Sequence, residues 1–381
     1  MRKLRLFLIE NAVVITFIVL LAIAIPASRL SSQYLLQEIL TRLGRSSFLV
    51  IALLLPIMAG MGLNFGMVLG AMAGQIGLIF VMDSKVVGVP GLLLAMIISL
   101  PISVILGWIC GSIMNKAKGR EMVTGFILGF FMNGVYMLYA LYAMGTIIPV
   151  MNQELLLSRG YGLRNVIDLE SVRQILEKTI PLRLDLNFLN INAVLNIPVL
   201  NFIFIAAVSI FIIWFRKTKL GQDMRAVGQD RAVAGAAGIA VERTRIIAII
   251  ISTVLAGIGQ IIFLQNLGTI NTTNSHEQIG LFSIASLLIG GASVSRASIP
   301  NAFIGVILFH LLFLVAPMAG KNLVGSAMIG EYFRQFVSYG VIAMALVLYE
   351  WKRVVQEDES RATLRGGRAG VAPDKGKGGA A

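Results

Sequence analysis

The sequence predicts an all-α, polytopic membrane bundle of about ten transmembrane helices, with a broken helix near Gly60–Gly66. Three observations carry this. Hydrophobic residues make up 57% of the 381 positions and charged ones 13%, about half the charge of an ordinary soluble domain. The apolar residues gather into uncharged runs such as Val13 to Ile25, Leu92 to Gly107, Ile203 to Trp214 and Val341 to Tyr349, which suit spans of roughly 20 mostly apolar residues. Those runs lack the two-residue alternation of barrel strands, so helices are left as the way to satisfy the backbone in lipid.

Taken in order, a first span runs from about Leu6 to Ile25 and stops at Pro26, with Arg2, Lys3 and Arg5 holding the N-terminus in the cytoplasm. The same start could pass for a signal peptide cleaved after Ala22-Ile23-Ala24; a retained span accounts better for the topology that follows. From Ser31 to Arg45, Tyr34, Leu35, Ile39, Leu40 and Leu43 recur at helical spacing among polar residues, predicting a helix lying on the outer interface. Phe48 to Val81 is too long for one span and holds Gly60-Met61-Gly62-Leu63-Asn64-Phe65-Gly66, which predicts a descent, a break and a return.

Leu92 to Met114 comes inward to Lys116, Lys118 and Arg120, and Val123 to Val150 goes out again. Residues 151–196, with Glu154, Asp168, Glu170, Glu177 and Asp185, form an external cap or loop. Ile197 to Phe215 leads inward to Arg216, Lys217 and Lys219, opening a second polar segment, 216–245, that closes at Arg243 and Arg245. Ile246 to Gln265 leads out, the short run Ile279 to Gly291 leads in, Ala302 to Pro317 leads out and Ser326 to Trp351 leads in. Residues 1–351 are thus the membrane domain with both termini inside, and about two thirds of the Lys and Arg fall on the cytoplasmic side. The Gly-, Ala- and Arg/Lys-rich residues 352–381 cannot bury enough surface to fold and read as a disordered basic tail.

The formal net charge of +13 belongs to short loops and tails beside apolar spans, a topological pattern, so no nucleic-acid partner is expected. Cys110 is the one cysteine and lies in an apolar run, which leaves no disulfide framework and no metal site. No cluster of His, Asp, Glu or Cys suggests a catalytic centre.

The segment 216–245 carries the most specific signal. Its small residues from Ala232 to Ala237, flanked by charge, predict a short helix that packs closely against something, or else a plain connector. It contains Lys217, Thr218 and Gly221, then Arg225, Ala226 and Gly228, then Ala232 and Ala234 around Val233, then Gly238, Ile239 and Arg243. Ile197-Pro198, Ala256-Gly257-Ile258-Gly259 and Ile289-Gly290-Gly291 add to it elsewhere. Together these motifs, spread over most of the chain, resemble bacterial ATP-binding-cassette (ABC) importer permeases of the branched-chain amino acid, simple sugar and nucleoside group. Two departures are Gly62-Leu63-Asn64-Phe65-Gly66, where many members carry an acidic glycine motif, and Ser293-Val-Ser-Arg-Ala-Ser298 in place of a glycine-rich continuation.

The resemblance implies a multi-pass protein of the bacterial inner membrane working with a separate ABC ATPase, a second permease subunit and an extracytoplasmic solute-binding protein. It implies that Gly221, Arg225, Ala226, Gly228, Asp230, Ala234, Gly238 and Ile239 couple to that ATPase, which uses ATP and Mg while this chain binds no cofactor. In agreement, the chain has no phosphate loop: Gly320-Lys321 is followed by Asn322 and lacks the earlier glycine.

Polar groups at mid-span are costly in lipid and are candidates for the solute pathway. Asn64 lines a cavity or packs helices, and Phe65 walls the path or faces lipid; Gln75, Asn133 and Gln260 line the path or bond helix to helix. Glu331 and Arg334, at i and i+3, pair at an interface or form a gate, and His310 packs or relays protons. Neutral amides and aromatics suit a small, polar, uncharged solute, and within the resemblance that points to a simple sugar or a nucleoside before a branched-chain amino acid. The rival reading, an ion-coupled secondary transporter, calls for buried carboxylates in broken helices; Glu10, Asp83 and Glu331 all fall near span ends or loops, and almost no buried acid is expected.

Overall fold

The computed structural model describes residues 11–185 and 194–326, with positions 328, 329, 332, 340, 343 and 347 beyond them. Glu10, the Glu331–Arg334 pair, most of the last expected span and the tail 352–381 lie outside the described residues. Helices dominate: α1 (Ala12–Ser28), α2 (Ser32–Ala52), α3 (Leu54–Met58), α4 (Met67–Ser84), α5 (Gly88–Lys116) and α6 (Glu121–Leu138) come first. Within the segment 151–196 lies α7 (Ile175–Thr179), and α8 (Val199–Phe215), α9 (Lys219–Gln229), α10 (Arg231–Ala236), α11 (Val241–Leu267), α12 (Glu277–Ile289) and α13 (Ile299–Val324) follow.

Among the described residues, six helical stretches are long and apolar enough to cross a membrane: Ser32–Met58, α4, α5, Glu121–Ala143, α11 and Ile299–Leu323. The pair α8 and α9, bent by 75°, makes a seventh if counted as one span. The apolar helices α1 and α12 are shorter, so length alone does not reach the expected ten. For α12 the reason is visible. Its 13 residues rise only about 20 Å, and the chain ahead of it dips into the bundle: Gln75, midway along α4, donates from Nε2 to the Asn271 and Thr272 carbonyls.

Hydrogen bonds sort the connections into two ends. Asp83 accepts from the amides of Met151 and Asn152, Gly88 donates to the Ser171 carbonyl, and Asn322 donates to the carbonyls of Ala27 and Ser28 at one end. At the other, Arg231 reaches the Gly60 carbonyl and Arg245 reaches Asn115. The break at Gly60–Gly66 therefore lies at the end opposite the segment 151–196, with α2–α3 running to it and α4 running back.

Two expectations are corrected. Ser31 to Arg45 is no separate interfacial helix but the first half of α2, capped by Ser31 accepting from the Tyr34 amide. Its charged groups find partners on and within the bundle: Glu38 pairs with Arg42 at 3.1 Å, and Arg45 donates from one Nη to Asn266 Oδ1 at 3.0 Å while lying 5.3 Å above the Phe263 ring. The fold is also not purely helical. β1 (Val166–Asp168) pairs antiparallel with β4 (Thr269–Asn271), and β2 (Pro181–Asp185) with β3 (Val194–Pro198). Outside the helices these strands give backbone groups of the segment 151–196 some of their partners.

The centre of the bundle is α4, wedged between α5 and α11 by small residues. A Cβ on Gly70 would sit 2.2 Å from the Thr253 carbonyl oxygen, on Gly74 2.3 Å from that of Gly257, and on Gly77 2.4 Å from that of Ala95. Spacing at i and i+4 puts Gly70 and Gly74 on one face, where missing side chains let backbones approach closely. In contrast, α5 and α6 leave Ile97, Ile105, Trp108, Ile127, Phe130 and Phe131 exposed.

Candidate functional site

At the end of the bundle away from the segment 151–196, Thr218 stops α8 and starts α9: its hydroxyl donates to the Phe215 carbonyl at 2.6 Å and accepts from the Gly221 amide at 3.2 Å. Gly221 is required by the bend, because a Cβ there would lie 2.1 Å from the Phe215 carbonyl oxygen. Helix α9 then buries Gly221, Met224 and Val227, while Arg225 faces outward and Ala226 is half-buried. Asp230 caps α10, accepting from the amides of Ala232 and Val233 at 2.8 and 3.0 Å.

What α9 packs on is the glycine break. Gly228 has no room for a side chain: a Cβ would sit 2.1 Å from the Met58 carbonyl oxygen. Reciprocally, Gly60 has φ +69°, a conformation that favours glycine, and a Cβ there would meet the Gly228 Cα at 2.9 Å. The close approach thus belongs to Gly228. The run Ala232 to Ala237, expected to make it, buries only Ala234 and presents Ala232, Val233, Gly235, Ala236, Ala237 and Gly238 outward, with Ile239 half-buried.

Sequence reasoning missed the ionic cluster behind this contact. Glu121, buried at the first turn of α6, takes Arg231 of α10 at 2.8 Å and also Arg245 of α11. Arg231 continues to the Gly60 carbonyl at 2.8 Å, and Arg245 to Asn115 Oδ1 on α5 at 2.7 Å. One carboxylate therefore ties α5, α6, α10, α11 and the break together. The signal was a lone acid directly after the Lys116–Arg120 cluster, and an Arg on the apolar flank of α11. Glu121 is the one buried acid among the described residues and sits at a helix start, outside the 60–66 break; two guanidinium groups and the helix N-terminus compensate its charge.

Deeper in the bundle, the structure brings together three of the five pathway candidates. Gln75 Oε1 meets His276 Nδ1 at 3.1 Å, Asn133 Oδ1 meets His276 Nε2 at 2.9 Å, and Gln260 Nε2 donates to the Ser275 carbonyl at 3.3 Å. Asn133 Nδ2 also donates to Glu277, and the Tyr136 ring lies 4.7 Å from that of His276, edge to face. His276 and Glu277 were not singled out from sequence, because they fall in a polar turn that gives no sign of dipping into the bundle.

The other two candidates lie apart. Asn64 is buried and donates to Ser252 Oγ at 3.3 Å, leaving its Oδ1 without a partner. Phe65 stacks edge-on against Phe126 at 5.6 Å, and Phe126 against Phe130 at 4.7 Å. These rings, Gly280 and Glu277 line a pocket of about 100 Å³, which links Phe65 through Glu277 to the His276 group. His310 is buried beside Phe309, and Cys110 is buried 3.5 Å from the Met114 sulfur, as a small apolar residue.

The family model described as the permease component of branched-chain amino acid transport systems matches residues 35–348. A probable ABC transporter permease protein YphD of Escherichia coli K12 is 32% identical over 156 residues, 40% of this chain and 44% of that protein. The nucleoside ABC transporter permease protein NupB of Lactococcus lactis subsp. cremoris is 33% identical over 128 residues, 32% of this chain and 31% of its own length. The xylose/arabinose import permease protein XylH of Sulfolobus acidocaldarius is 25% identical over 278 residues, 72% of this chain and 65% of its own. The chain thus spans less than two thirds of the length of each of these relatives. No solved structure matches.

Proposed function

This chain belongs to the family of permease components of branched-chain amino acid transport systems, and from that premise we propose that it is the membrane-spanning subunit of an ABC importer for a small polar solute, a simple sugar or a nucleoside. A solute-binding protein outside the inner membrane delivers the solute, a second permease subunit completes the path, and ATP with Mg is consumed by separate ATPase subunits. The topology has about ten crossings, with 216–245 and both termini in the cytoplasm and 151–196 outside.

The observation that carries this reading is the seating of α9 on the break through Gly228 and Gly60. A push on α9 meets backbone directly, with no side chain to absorb it, and reaches the spanning helices through Arg231, Glu121 and Arg245. The outward small residues of α10 leave a surface that another backbone approaches closely. For the solute, relatives named for xylose/arabinose and nucleoside import agree with amides and aromatic rings around the inner turn. A branched-chain amino acid is disfavoured because its carboxylate finds no cation in the pocket of Phe65, Phe126, Phe130 and Glu277.

The test is ATP hydrolysis by the complex in lipid, with the ATPase co-expressed. Gly228→Trp and Arg225→Glu are expected to lower solute-binding-protein-stimulated turnover by about tenfold or more, or to abolish ATPase copurification. If no ATPase copurifies with the native chain and uptake follows an ion gradient, the importer reading fails.

A further inference from the structure

The turn 293–298, where the sequence departs from the glycine-rich motif it otherwise resembles, carries an arginine that the proposed coupling does not use. Arg296 of this turn, Arg216 at the end of α8 and Arg225 of α9 come from three separate segments and line one cavity of about 520 Å³. Gln229, Ser295 and Ser298 add polar groups, and no carboxylate lines it. Among the described residues, none of the three guanidinium groups has an ion pair or a side-chain hydrogen bond. The rest of the lining is apolar: Met58, Ala297 and Ile299 are half-buried at the cavity, over the buried side chains of Leu54, Leu55, Ile57 and Ile212.

Three like charges pointed into one space repel each other, which makes the cavity selective for an anion. The planar guanidinium fork matches the oxygens of a phosphate group. Its level in the membrane is set by α8, whose outward face is apolar through Ile203, Ile210 and Ile213 and ends on Trp214, 60% exposed, two residues before Arg216. An exposed tryptophan beside an arginine marks the headgroup level. A phosphate at the polar mouth and hydrocarbon along an apolar wall describe one kind of ligand.

We propose that this cavity binds the headgroup of an anionic phospholipid, with its phosphate held by Arg216, Arg225 and Arg296 and its glycerol and upper acyl carbons against Met58, Ala297 and Ile299. Bound there, the lipid bridges α9 and the 293–298 turn, so the α9–break contact senses the leaflet around it. The assignment rests on the importer reading only for placing this end at the cytoplasmic leaflet.

The experiment is native mass spectrometry of the full chain extracted from mixed phosphatidylglycerol and phosphatidylcholine bilayers. Native chain is expected to retain phosphatidylglycerol, and Arg216→Gln with Arg296→Gln to lose it by about tenfold. Arg216→Lys with Arg296→Lys, which keeps the charge, should retain more than the glutamine pair. Lys116→Gln with Lys118→Gln, equally basic at the same end but outside the cavity, should retain it fully. Equal retention by the glutamine pair overturns the proposal, as does equal loss in the Lys116/Lys118 control. Displacement by millimolar inorganic phosphate overturns it in favour of a soluble anion, and expulsion of the lipid on binding of the ATPase subunit in favour of that protein surface. Retention is read on the permease chain itself, so failure of the importer reading appears separately, as missing ATPase copurification.

Discussion

Glu121 is 6% exposed yet holds Arg231 and Arg245. Removing its charge leaves two guanidinium groups facing each other without a counter-charge, a loss of the order of 3–5 kcal/mol when such a pair is buried. Arg231 is partly exposed, so the expected effect of Glu121→Gln is nearer the lower end, about 3 kcal/mol, read as a lowered unfolding midpoint in detergent. A midpoint unchanged from the native chain would mean that the cluster is solvated and ties nothing. Asn133 acts differently, since its amide bridges His276 and Glu277. Asn133→Leu strands both, a penalty of about 1–3 kcal/mol, and is expected to cut uptake about tenfold with ATPase copurification intact. Uptake at the native level would take the His276 turn off the solute path.

At the scale of the element, the wedge of α4 is a matter of space. Gly74→Ala places a methyl group 2.3 Å from the Gly257 carbonyl oxygen, so helix α11 must shift, at a cost of about 1–3 kcal/mol. Gly134 on α6 has nothing within 4 Å of an added Cβ, and Gly134→Ala should be neutral or stabilising by up to about 1 kcal/mol through helix propensity. Thermal unfolding of the two variants side by side checks the contrast; equal effects would show that packing on α4 is loose. The bend between α8 and α9 obeys the same rule, because Gly221 and Gly228 are needed where their backbones touch Phe215 and Met58.

For the whole molecule, the two sets of connections give a topology that labelling can test. In a Cys110→Ala background, a membrane-impermeant maleimide should modify Lys118→Cys and Arg243→Cys only from the cytoplasmic side, and Arg159→Cys and Glu170→Cys only from outside. Labelling of positions 118 and 159 from the same side would break the proposed order of crossings. The exposed apolar faces of α5 and α6 leave room for lipid or a second permease subunit, and the pocket of Phe65, Phe126, Phe130 and Glu277 opens beside them.

Hydrophobic content and its segmentation by themselves determined the membrane bundle, the descent and return around Gly60–Gly66, and the polar segment 216–245, because crossing lipid demands long apolar helices whatever their neighbours. Local chemistry also marked Gly221 and Gly228 through the motif they belong to. Tertiary structure alone decided what those glycines touch, since a close approach has two partners and the sequence displays one at a time. The same holds for Glu121 and its arginines, up to 124 residues away along the chain, and for His276, whose turn reads as an exposed loop until β1 and β4 draw it inward. It also decided that Ser31–Arg45 belongs to a span, because Arg45 enters the bundle only with Asn266 and Phe263 in place to receive its charge.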